Sequence, residues 1–219
     1  MLKKSTLGFL KKLKKNNNRE WFNENKNLYL DAKEDFDYFV NELIQEISES
    51  DSSVAGLQPK DCTFRIYKDV RFSKDKTPYK TNMGAAIQQG GRKSSVAGYY
   101  FHVAPEEVFA AGGIFMPSPE HLLKIRNSIA SNYKKFNGIL KSKEFAKNFK
   151  ELWQGDKLKT APKGFPKDHP AVEYLKMKSY LAWKDIKPEE IFSKDIIKKA
   201  AKIFRSMQPF NDFINEAIK

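Results

Sequence analysis

One cysteine, Cys62, is all the thiol chemistry this chain has. It excludes an intramolecular disulfide, and it leaves no CxxC pair for a zinc or redox motif. The three histidines, His102, His121 and His169, form no HxxxH or HExxH pair, so no metal site is expected. Lysines interrupt every apolar stretch near the start, which argues against a secretory leader. No segment reaches the roughly 20 apolar residues of a membrane span, so no membrane partner is expected and the default location is the cytoplasm. The glycines fit neither a P-loop nor a dinucleotide fingerprint, and no nucleophile elbow occurs. The residues therefore name no cofactor. Acid is also in short supply: 27 Asp and Glu face 40 Lys and Arg, a formal charge of +13 over 219 residues. That excess attracts polyanions and phosphorylated ligands, although lysines spread over solvated helix faces produce the same balance.

What is present reads as a single α+β domain over residues 1–219. Residues 1–50 have helical periodicity. Ser5 or Thr6 is placed to cap a first short helix, and Asn18 a second through Arg19, Trp21 and Phe22. Ala32, Phe36, Val40, Leu43 and Ile47 form one stripe of a long amphipathic helix, with Phe39 and Ile44 beside it. Residues 61–115 change period. Cys62, Phe64 and Ile66 alternate with Thr63, Arg65 and Tyr67 as in a half-buried strand, and 81–89, 95–104 and 107–114 read as three more. The connections are too short for crossover helices, so the pairing is antiparallel. Residues 117–219 are mostly helical, beginning with Ser118 as N-cap and Pro119 at the first helical position. One further strand is expected over 179–186. Ser193 is placed to cap the last helix, which Pro209 is expected to interrupt. The expectation is an antiparallel sheet of about five strands covered by the N-terminal and C-terminal helices.

The densest chemistry lies between Phe64 and Lys80, FRIYKDVRFSKDKTPYK, with six cations and the acids Asp69 and Asp75. On one continuous strand Arg65, Tyr67, Asp69 and Arg71 would share a face. The two arginines would then stand ~20 Å apart, too far to grip one phosphate unless the chain bends. The turn-like Ser73 to Pro78 supplies such a bend.

These residues carry a family resemblance. Asn17-Asn18-Arg19-Glu20-Trp21-Phe22 with Lys26 and Tyr29, the Phe64–Lys80 run, and Tyr99 to Pro105 occur in the family's order. So do Gly112-Gly113, Pro117, Arg126, Pro162-Lys163-Gly164 and His169-Pro170. Together they resemble the uncharacterised, mainly bacterial family known as domain of unknown function 2461. Its central pattern is FRI, RD, RFS, DK, PYK. Lys68 stands where the family favours arginine, which loses a bidentate fork. The family has no established activity, so the resemblance implies kinship and no reaction.

The residues leave two functional readings open. In the first, a cationic pocket built from Arg65, Asp69, Arg71, Lys74, Lys76, Tyr79 and Lys80, with Arg19 at its rim, binds a phosphorylated or other anionic small ligand. His102 is then the one weak candidate for a general acid or base. Whether the protein is an enzyme is left open. In the second, the same cations and the lysines crowding the N-terminus form a nucleic-acid-binding or interaction module without catalysis. Against both stands a purely structural role, in which Arg71 pairs with Asp69 or Asp75 and Arg65 pairs with a helix carboxylate.

Overall fold

A computed structural model describes all residues, 1–219. The N-terminal third is helical: α1 (Lys4–Lys15), α2 (Arg19–Glu24), α3 (Lys26–Ser48) and the single turn α4 (Pro59–Cys62). Four strands follow, β1 (Met83–Ile87), β2 (Gly98–Val103), β3 (Val108–Ile114) and, later, β4 (Tyr180–Ile186). Between β3 and β4 lie α5 (Pro119–Ser131), α6 (Tyr133–Lys141), α7 (Lys143–Asn148) and α8 (Val172–Leu175), and α9 (Ile196–Ile218) closes the chain. The sheet is wholly antiparallel in the order β1-β2-β3-β4.

The sheet has four strands, not the expected five, because the stretch from Cys62 to Tyr67 does not extend it. Cys62 ends α4, and only the Thr63↔Ala85 bridge and one bond from the Phe64 N–H to the Gly84 carbonyl reach the edge of β1. The chain then leaves that edge and pairs with its own return limb. The Lys68 N–H donates to the Pro78 carbonyl at 2.9 Å, and the Lys80 N–H donates to the Ile66 carbonyl at 2.8 Å. The Phe64–Lys80 run is thus a short two-limbed ribbon standing off the sheet.

One face of the sheet is covered by α3 and α9. Every residue of the periodic stripe on α3 is buried, and Phe39 meets Phe101 of β2 at 5.1 Å between ring centroids. Phe204 of α9 meets Tyr99 at 5.2 Å. Strand alternation sends Tyr99, Phe101 and Val103 inward and leaves Tyr100 and His102 on the opposite face. Helix α1 packs on α3, where the Thr6 hydroxyl and the Lys3 N–H both donate to the Asp35 carboxylate. Thr6 therefore ties two helices together instead of capping one, and Lys3 occupies the N-cap position. The caps at Asn18 and Ser118 form as expected, accepting from the N–H groups of Trp21 and His121. Asp195, not Ser193, precedes α9, and this helix runs through Pro209 without ending. Its apolar stripe of Phe204, Phe210, Phe213 and Ile214 is buried on both sides of the proline, and that packing offsets the lost backbone bond.

Candidate functional site

The linker between α1 and α2 is three asparagines, and each has a separate job. The Asn16 amide donates to the Lys12 carbonyl at the end of α1. Asn18 caps α2. Asn17 reaches across 62 residues to the ribbon: its amide donates to the Tyr79 carbonyl at 2.9 Å, and its carbonyl accepts from the Tyr79 N–H at 3.1 Å. Behind this clamp the Tyr79 ring lies flat on Phe22, 3.9 Å between centroids, with the Tyr67 ring beside both. The first motif of the chain and the central one are therefore two walls of one structure.

Between those walls lies a cleft of about 330 Å³ lined by Arg19, Asn23, Tyr67, Lys68, Val70, Pro78 and Tyr79. Its lining includes no carboxylate and no imidazole. Arg19 is exposed and has no carboxylate within 4 Å. Burial raises the Tyr79 phenol above its ordinary range, and Arg19 opposes that shift. A larger recess of about 410 Å³ near α6 and α7 is lined by Lys141, Lys150 and Lys157 but also by Glu151 and Glu173, so its charge is mostly balanced.

The other expected site residues divide into two groups, and neither converges on the cleft. At the ribbon tip the charges satisfy one another. Arg71 grips Asp69 with both Nε and Nη2, at 3.0 and 2.7 Å, which holds the Asp69 carboxyl down to about 2. Lys68 pairs with Asp75, whose carboxylate also accepts from the Thr77 N–H and is held well below the usual range. The Lys76 ammonium donates to the Val70 carbonyl at 3.0 Å. Lys74 is exposed at the same tip with no ion-pair partner. Of the two structural pairings considered for the arginines, the one between Arg71 and Asp69 forms. Arg65 has no carboxylate within 4 Å.

At the ribbon base Arg65 and Lys80 are neighbours. Burial lowers the Lys80 ammonium, Arg65 lowers it further, and its Nζ lies 5.5 Å from the Phe64 ring centroid. Phe64 in turn meets Tyr100 edge-on and begins an aromatic row on the outer face of the sheet. Along that row His102 lies flat on Phe109 at 4.5 Å, and Phe109 lies flat on Trp183 at 3.5 Å. Gly84 faces His102 across the strands, and a Cβ there would overlap the Tyr100 hydroxyl.

His102 thus sits apart from the cleft. Burial pushes its imidazole down to about 4, so it is neutral near pH 7. Its Nδ1 lies 3.1 Å from the Tyr100 hydroxyl, and its Nε2 faces Glu107 at 3.8 Å. The carboxylate favours the proton on Nε2, leaving Nδ1 to accept from the tyrosine. A neutral imidazole at that distance makes no ion pair with Glu107. Burial, with Glu107 second, pushes the Tyr100 phenol up to about 12. Both groups keep their neutral forms, which suits a packed polar pair better than a poised acid and base. His121 and His169 lie on other elements.

Sequence reasoning gave no role to Asn17 or Asn23 and set Lys68 aside. The run of three asparagines after a helical stripe was the available signal, since such residues favour side-chain bonds to backbone over helix interior. No helix is long and apolar enough to cross a membrane. Comparison with curated proteins and with solved structures gives no match. Residues 5–213 match the model of the conserved hypothetical protein family DUF2461, and with nearly its whole length inside that match the chain belongs to this family.

Proposed function

We propose that the protein binds an anionic, phosphate-bearing small ligand in the cleft between α2 and the ribbon, and that it does so in the cytoplasm. The observation that carries this reading is the unpaired Arg19 guanidinium, which shares one cleft with the Tyr67 phenol and the Asn23 amide, while Lys68 in the same lining is already held by Asp75. Planar guanidinium donors with a neighbouring hydroxyl and carboxamide are a fitting set for a phosphate. A volume of about 330 Å³ is at the small end of ligand pockets, which favours a compact phosphorylated molecule over a dinucleotide. The pocket expected around Arg65 and Arg71 gives way to this one because Arg71 already holds Asp69. The lining supplies positive charge and hydrogen-bond donors, so its residues support binding and orientation of an anion.

The test is thermal unfolding at constant ionic strength in chloride, inorganic phosphate, sulfate and a sugar phosphate. Phosphate-bearing anions should raise the melting temperature over chloride. Arg19→Ala should abolish the rise, and Arg71→Ala should leave it in place. Equal melting in every anion would overturn the reading.

A further inference from the structure

The ribbon has a second property that goes beyond the anion cleft and does not depend on it. Of its four aromatic residues, three are turned toward solvent: Phe64 is 43% exposed, Tyr67 47% and Phe72 97%. A phenylalanine left this bare gains almost nothing from folding. It is also not on a slack loop. The tip that carries it is tied by Arg71 to Asp69, by Lys68 to Asp75, by Asp75 to Thr77 and by Lys76 to the Val70 carbonyl. Phe72 is therefore displayed on a tip braced by these contacts.

The cations of the ribbon are interleaved with these rings. The Arg71 guanidinium lies 5.9 Å from the centroid of Phe72, whose 97% exposure leaves its other face open, and the Lys80 ammonium lies 5.5 Å from the centroid of the partly exposed Phe64 ring. Arg65, Lys74 and Lys80 have no carboxylate partner within 4 Å. The Asn17 clamp brings the last turn of α1, with Lys12, Lys14 and Lys15, to the base of the same ribbon, and only Lys14 of these is paired, to Glu106. Open π faces alternating with unpaired cations call for a partner that alternates flat rings with negative charge. A lipid surface or an acidic peptide supplies the charge without the rings. Unpaired nucleotides supply both.

We infer that the Phe64–Lys80 ribbon is a single-stranded nucleic-acid-binding element. Phe72 and Phe64 stack on bases, while Arg65, Lys74 and Lys80 meet phosphates. The closing experiment uses the full chain and a fluorescently labelled oligothymidylate of about 20 nucleotides, longer than the roughly 4–16 that one such surface covers. Anisotropy is read across a salt series starting at about 50 mM. Wild type should bind. Phe72→Ala should weaken binding about tenfold or more without changing the slope of log affinity against log salt. Lys74→Ala should reduce that slope by about 0.7. Both side chains are exposed, so neither change should move the melting temperature of the free protein. Absence of binding at the lowest salt, or equal affinity in Phe72→Ala, overturns the inference. So does equal competition by a duplex of the same length, or binding to anionic lipid vesicles that Phe72→Ala removes while the oligonucleotide is ignored. Loss of the phosphate-induced melting shift in Arg19→Ala bears on the cleft alone.

Discussion

Asn17 and Tyr79, 62 residues apart, are joined as if they were neighbours in a sheet: one carboxamide satisfies both the N–H and the C=O of one peptide position. Tyr79 is buried, so either backbone group would be costly to leave unpaired. Asn17→Ala removes both partners at once and should cost about 1–3 kcal/mol in urea denaturation. The same variant should lose the phosphate-dependent rise in melting temperature, because the wall carrying Tyr67 and Lys68 is no longer fixed against Arg19. A full-strength phosphate response in Asn17→Ala would show that the clamp has no part in shaping the cleft.

The ion pairs at the ribbon tip are solvent-exposed, and exposed pairs add little to global stability. Their effect should be local. Asp75→Ala removes the partner of Lys68 and the acceptor of the Thr77 N–H together. Its urea midpoint should match wild type, while trypsin should cut sooner after Arg71, Lys74 or Lys76. Cleavage at the wild-type rate would mean that these pairs do not order the tip.

Much of the frame was legible in the sequence because it is local. The stripe on α3 and the caps at Asn18 and Ser118 depend on spacings of three and four residues, and they form as the pattern implies. Cys62, Phe64 and Ile66 misled because alternation reports a pleat without saying which edge will pair. Cys62 and Ile66 are buried, yet Phe64 is half exposed, since the chain turns to meet Pro78 and Lys80 instead of following β1. The cleft was legible in its parts only. Arg19 and Tyr67 carry no mark of each other, and what unites them is a side-chain clamp to a distant backbone. The choice of Asp69 over a ligand by Arg71 is likewise set by the local path of the ribbon after Lys68.

Cys62 is wholly buried at the end of α4, and burial, with the nearby Asp61 charge, pushes its thiol up to about 11. The thiolate is the reactive form, so the folded protein should resist thiol reagents at pH 8 and react at once in denaturant. The measurement is the rate of colour release from an aromatic disulfide reagent. Rapid reaction of the native protein would contradict both the burial and the raised value.

His102 makes the protein's acid response specific. Its folded value of about 4 lies below the unfolded value of about 6.5, so between them the unfolded chain takes up a proton that the native state refuses. This group's contribution is fully present above pH 6.5 and is lost progressively as the pH falls toward 4. The Asp69 carboxyl, held at about 2 by Arg71, protonates lower still, and as an exposed pair it adds little to global stability. The two windows are therefore separable. His102→Gln keeps a neutral acceptor near the Tyr100 hydroxyl and cannot titrate. Wild type and variant should differ in how stability declines between pH 6.5 and 4, with the wild type falling more steeply, and the two curves should run parallel above pH 7. Urea midpoints at pH 7.5, 6.5, 5.5 and 4.5 check this directly, and parallel curves over the whole range would place the proton uptake on other groups.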